Sequence, residues 1–152
     1  TGDELHPRQK RRHGEAGGMN RYARYLFTVA ALFNVIVAAS LLLAWPQMQQ
    51  LLQLAPAEGS NRLLVDLCGV LVLTFGYAYY MAGRDPVRYR PYIVLGVIGK
   101  MLVVATALPV LVTGRQGYLL GWLTMGDLIF AALFVDFLLK RSSPPGPILG
   151  RR

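Results

Sequence analysis

Cysteine and histidine are nearly absent from this chain. A single cysteine, Cys68, rules out an internal disulfide and any multi-cysteine zinc or iron–sulfur site. It lies in an apolar run, where a buried, inert thiol is the expected state. The two histidines, His6 and His13, stand near the N-terminus, outside every apolar segment, so those segments offer no imidazole to haem, chlorophyll, copper or a di-iron centre. Ser40 has no adjacent base, and no glycine-rich phosphate loop leads into a helix. No catalytic residue, metal site or cofactor is therefore expected. Charge is scarce as well, at 16% of residues, against about 25% in ordinary soluble domains.

What fills the chain instead is apolar sequence. Hydrophobic residues make up 54% of its 152 positions, and they are gathered into runs at 22–45, 62–82, 92–113 and 118–139. Each reaches the roughly 17 to 25 residues needed to cross a bilayer. Short connections rich in Gly, Pro and Arg separate the last three runs, which makes them antiparallel neighbours. The expected fold is all-α, an integral membrane antiparallel four-helix bundle over 19–141. Between the first two runs, PQMQQLLQLAPAEGSN at 46–61 carries Met48, Leu51, Leu52 and Leu54 at spacings suited to a short interfacial helix. Residues 1–18 are polar, basic and glycine-containing and read as a disordered tail, with Met19 as a candidate native start; 142–152 form a short cytoplasmic tail.

The formal net charge of +8 does not describe a nucleic-acid-binding face, because the basic residues cluster at the ends of the apolar runs. Arg8, Lys10, Arg11, Arg12, Arg21, Arg24, Arg84, Arg88, Arg90, Lys140, Arg141, Arg151 and Arg152 fall on one side of the expected membrane, against Arg62 and Arg115 on the other. The positive-inside rule makes the first side cytoplasmic, with both termini there, and the expected location is a bacterial inner membrane. Trp45 and Trp122 then belong to the outer aromatic belt, and Tyr22, Tyr25, Tyr79, Tyr80 and Tyr92 to the inner one.

The polar residues inside the runs are the candidates for chemistry. Asp66 follows Arg62 by one helical turn, and Asp136 precedes Lys140 by one; both read as intrahelical pairs near an interface. Asp127 and Asp136 lie on opposite faces of the fourth run and form no carboxylate dyad. Asn34 sits on a small-residue face with Ala30, Ala31 and Ala38, suited to an interhelical hydrogen bond. Lys100 and Asp127 stand near mid-membrane, about 12 and 18 Å from the inner ends of their runs. An isolated charge there costs at least about 2.5 to 3.5 kcal/mol, so the two are expected to pair, with Asn34 as an additional hydrogen-bond partner. The pair can fix helix register, relay protons or polarise a ligand; Lys100 alone can snorkel to the interface. Phe75, Tyr77 and Tyr80 in FGYAYYMAG either line a lipophilic pocket or serve as packing and anchoring aromatics.

The segments FGYAYYMAGRDP at 75–86, GVIGKMLVV at 96–104 and GDLIFAALF at 126–134 resemble those of small four-span bacterial membrane proteins of the broad DoxX-like type, over approximately 19–141. The resemblance implies a four-helix membrane fold, and some members of that group are subunits of quinone-linked sulfur-compound oxidoreductases. Lys100 and Asp127 fall at glycine-lysine and glycine-aspartate positions of the group, but no redox-cofactor ligand in this sequence carries the activity over. The expected function is that of a non-catalytic accessory or scaffold subunit packed against other membrane protein subunits; the alternatives are a binder or carrier of a lipophilic small molecule such as a quinone, and a subunit of a quinone-linked oxidoreductase. The charge asymmetry gives a first test: reporter fusions at Glu58 and Arg115 are expected outside, and fusions at Val87 and the C-terminus inside. The opposite labelling pattern would reverse the orientation.

Overall fold

The computed structural model describes residues 7–114 and 118–142, which form five helices: α1 (Pro7–Leu43), α2 (Trp45–Leu52), α3 (Ser60–Arg84), α4 (Arg90–Val112) and α5 (Tyr118–Ser142). Four stretches are long and apolar enough to cross a membrane: Arg21–Leu43, Ser60–Arg84, Arg90–Val112 and Leu119–Arg141. The chain is a multi-pass membrane protein built as an all-helical bundle, with α2 as a short extra helix at one end.

Local chemistry sets the boundaries. Ala44 leaves helical geometry at φ −127°, and Pro46 then occupies the first turn of α2, where its missing N–H costs no hydrogen bond. That helix closes at Gln53, in the left-handed region at φ 53°, with the N–H groups of Gln53 and Leu54 bonded back to Gln50 and Gln49 carbonyls. α3 stops before Pro86, and the Asp85 carboxylate accepts from the N–H groups of Val87 and Arg88 at 3.1 and 3.0 Å, folding the tight link to α4. α4 opens on Arg90-Pro91 and ends just past Pro109, at Gly114 with φ 64°.

Three expectations are corrected. The tail was expected to be disordered through residue 18, but α1 begins at Pro7; residues 1–6 lie outside the described residues. A helix already nucleated in the apolar run extends outward one hydrogen bond per residue, and Gln, Lys, Arg and Ala continue it readily. Trp45 does not end the first span in an aromatic belt. It starts α2 and is buried with Met48 and Leu52, whereas Leu51 is exposed and Leu54 is half-buried against this cluster. Trp122 is exposed. Tyr79 is buried in the bundle and not at an interface.

α1 packs chiefly on α3, and α4 on α5. The α1–α3 seam is set by Gly69, Gly76 and Gly83, seven residues apart, which face Leu42, then Ala31, Asn34 and Val35, then Phe27 and Arg24. This is heptad spacing, and glycine there brings the two backbones together. At the end carrying the α3–α4 link, called here the basic end, the bundle is filled by Phe27, Tyr79, Ile93, Phe134 and Phe137. Phe27 lies 4.9 Å from Phe134 between ring centroids and meets Phe137 edge-on at 5.4 Å, so α1 and α5 are joined by aromatic contacts.

A Cβ at Gly76 would approach Ala31 O to 3.3 Å and Asn34 Cβ to 3.3 Å, whereas at Gly121 its nearest neighbour is Leu111 Cδ2 at 3.7 Å. Gly76→Ala is therefore expected to destabilise the bundle by about 1 to 3 kcal/mol. Gly121→Ala should be neutral or stabilising by up to about 1 kcal/mol. Equilibrium unfolding in mixed detergent compares the two, and equal effects would contradict close packing at Gly76.

Candidate functional site: a mid-membrane ion pair at the end of an apolar cavity

Lys100, in the middle of α4, has its ammonium 2.5 Å from Asp127 Oδ1 on α5. The lysine side chain is 5% exposed and the aspartate 18%. Three rings surround the same cation: Phe130 at 5.3 Å, Tyr79 at 5.5 Å and Phe33 at 5.6 Å from Nζ to the centroid. They come from α5, α3 and α1, so one charge gathers all four spanning helices. A desolvated cation–π contact contributes about 2 kcal/mol or less, and the set offsets part of the cost of burying the ammonium. Gly96, one turn before Lys100, makes room for the ring of Tyr79; a Cβ there would fall 2.6 Å from Tyr79 Cε1.

From this pair a cavity of about 450 Å³ runs toward α2. Its walls come from every helix and are almost wholly apolar, with Asn34, Thr124, Lys100 and Asp127 among the polar exceptions. Met48 and Leu52 of α2 cover the far end. Cys68 and Leu71 of α3 and Val103 of α4 line the cavity and are also exposed on the outer surface of the bundle. The cavity therefore opens sideways between α3 and α4, toward lipid. On the basic side of this opening the two helices meet where Gly99 faces Phe75 and Gly96 faces Tyr79.

Arg62 secures the α2 end. It donates to Asp66 at 2.6 Å and to the Leu42 carbonyl at 3.1 Å, satisfying an acceptor left free by the end of α1, and its guanidinium lies 5.8 Å from the Trp45 ring. The turn-spaced pair Lys140–Asp136 is present at 2.7 Å near the basic end.

The candidate residues divide clearly. Lys100 and Asp127 meet as expected, and Asn34 shares their cavity, but Asn34 Nδ2 donates to the Val72 carbonyl at 3.3 Å, an α1–α3 bond, and not to the ion pair. Phe75 lines the cavity, whereas Tyr77 and Tyr80 are 63% and 46% exposed on the outer face. The pocket tyrosine is Tyr79, one turn beyond Phe75 and so on its face; positions two and five residues from Phe75 point elsewhere. Cys68, expected to be buried, is exposed at the cavity mouth. Among the described residues no group of three or more His, Cys, Asp or Glu side chains is placed to hold a metal. The chain matches no protein-family model, no curated protein and no solved structure.

Removing one charge strands the other. Lys100→Met or Asp127→Leu alone is expected to destabilise the bundle by about 3 to 5 kcal/mol, while the double replacement recovers much of the loss. Unfolding of the four variants in one detergent, analysed as a double-mutant cycle, measures the coupling. Additive losses would mean that the two charges do not depend on each other.

Proposed function

We propose that this protein binds a lipophilic small molecule that enters from the bilayer, in preference to acting as a bare accessory subunit. The observation that carries this reading is the sideways-open apolar cavity ending on a buried ion pair. Its volume of about 450 Å³ lies within the roughly 300–1,000 Å³ of small-molecule sites, and such sites combine apolar walls with a few convergent polar groups. The ligand that fits is an amphiphile with a compact polar head and an apolar tail. The head reaches Lys100 and Asp127, and the tail leaves between α3 and α4 past Cys68 and Val103. A quinone has this form: its carbonyl oxygens accept from an ammonium, and its reduced hydroxyls donate to a carboxylate. The proposed setting is a bacterial inner membrane, with both termini and the α3–α4 link on the cytoplasmic side.

Cys68 supplies the test, being the sole thiol and lying at the mouth. Alkylation by a membrane-permeant maleimide is expected to slow when a short-chain quinone with a fully substituted ring, which leaves no ring position for the thiol to add to, occupies the cavity. Lys100→Met should weaken that protection by about tenfold or more, the value of a hydrogen bond to a charged group. Solvent extraction of gently purified protein should yield a lipophile in stoichiometric amount. An empty protein whose Cys68 reacts at the same rate with and without quinone, accompanied by stoichiometric protein partners, would return the reading to an accessory subunit.

A further inference from the structure

At the opposite end of the bundle from α2, Arg21 and Arg24 of α1 and Arg84 of α3 surround a recess of about 260 Å³, floored by Gly83 and Pro86. Gly83 brings the helices together there: a Cβ on it would sit 3.3 Å from Phe27 Cβ and 3.6 Å from the Arg24 carbonyl. Three guanidinium groups thus share one concave site. Among the side chains that the structure describes, no carboxylate pairs with any of them. Asp85, the adjacent acid, is engaged by the N–H groups of Val87 and Arg88. The Tyr80 ring lies 5.8 Å from the Arg84 guanidinium and supports it from the membrane side.

The surface continuing from the recess toward mid-membrane is built for a tail. On α1, Thr28 and Leu32 follow Arg21 and Arg24 at helical spacing, and on α3, Tyr80, Tyr77 and Leu73 precede Arg84 at the same spacing. All five are exposed. An anion cradle at the membrane edge therefore stands directly above an apolar and aromatic lipid-facing strip along the α1–α3 seam.

We infer that Arg21, Arg24 and Arg84 form a specific binding site for the phosphate head of an anionic phospholipid, whose acyl chains lie on the α1–α3 seam. The site is separate from the cavity at Lys100 and does not depend on what that cavity binds. Guanidinium groups suit a phosphodiester because their forked donors match its two free oxygens, and a strip of exposed tyrosine and leucine distinguishes a lipid from a free anion.

Native mass spectrometry of the full chain, titrated separately with phosphatidylglycerol, phosphatidylcholine and inorganic phosphate, tests the assignment. Wild type is expected to retain phosphatidylglycerol in preference to phosphatidylcholine, and excess inorganic phosphate should not displace it. The triple variant Arg21→Gln, Arg24→Gln, Arg84→Gln should lose affinity by about fivefold per guanidinium. A control with the same change in charge at described residues that do not line the recess, Arg88→Gln, Lys140→Gln, Arg141→Gln, should retain it. Arg84→Lys, which keeps the charge and the fold but loses the fork, should fall between. Equal losses in the two triple variants, or no preference for the anionic lipid, would overturn the site. Displacement by inorganic phosphate would identify a free anion as its occupant and overturn the lipid assignment.

Discussion

The structure depends on keeping one ammonium group inside a bilayer. Lys100 is buried, with 5% of its side chain exposed, and the bundle answers with a carboxylate from α5 and rings from α1, α3 and α5. Leaving the charge alone would cost at least about 2.5 to 3.5 kcal/mol on insertion scales. Pairing it demands that α4 and α5 lie side by side at this level, and the rings demand that α1 and α3 approach from the other side. The lysine therefore fixes the register of all four spans at one depth, and helices held at one depth by one contact have little freedom to slide.

That fixed level divides the bundle into two unlike halves. Toward the basic end, Phe27, Tyr79, Phe134 and Phe137 fill the interior. Toward α2, among the described residues, Trp45, Met48 and Leu52 pack with aliphatic side chains and form no such aromatic cluster. The α1–α3 pair stays closed along its length through glycines at heptad spacing, whereas α4 meets α3 at Gly96 and Gly99 beside the polar level and leaves Cys68, Leu71 and Val103 along an open margin. The short helix α2 covers the end of this half, and Arg62 ties it down through Trp45 and the last carbonyls of α1. The cavity is thus the space left where the two helix pairs approach closely at Gly96 and Gly99, beside the polar level, and diverge beyond it toward α2.

Hydropathy and periodicity made much of this legible. The four spans fall within a few residues of the expected bounds, and the turn-spaced pairs Arg62–Asp66 and Lys140–Asp136 needed only a helix to exist. Lys100 and Asp127 were legible because a buried charge without a partner is too costly to tolerate. What hydropathy cannot convey is which apolar face meets protein and which meets lipid, since both are apolar. Cys68, Trp45 and the choice among Tyr77, Tyr79 and Tyr80 all turned on that distinction. A usable signal was present on α3: Gly69, Gly76 and Gly83 recur at one heptad phase, and Tyr79 lies three residues after Gly76 and four before Gly83, which puts it on the buried side and its tyrosine neighbours outside. Asn34 makes the interhelical hydrogen bond expected of it, but to a different partner than the ion pair. Its depth matched the ion pair, but a hydrogen bond is decided by direction, and its amide faces the Val72 carbonyl on α3.

A compensated pair is also the form of charge best suited to receive a neutral ligand in such a cavity. A lone lysine or aspartate would draw water or titrate when an uncharged head arrived, and the cost of its burial would fall on binding. Paired through a single oxygen of Asp127, the two groups present a dipole whose net charge is zero, while the partly exposed carboxylate and the ammonium retain hydrogen-bonding capacity toward the cavity. A ligand head that both accepts and donates can add to this dipole without breaking it. The same interaction that holds the helices in register is then the one that would orient the proposed ligand, with the polar level at one end of the cavity and the apolar mouth between α3 and α4.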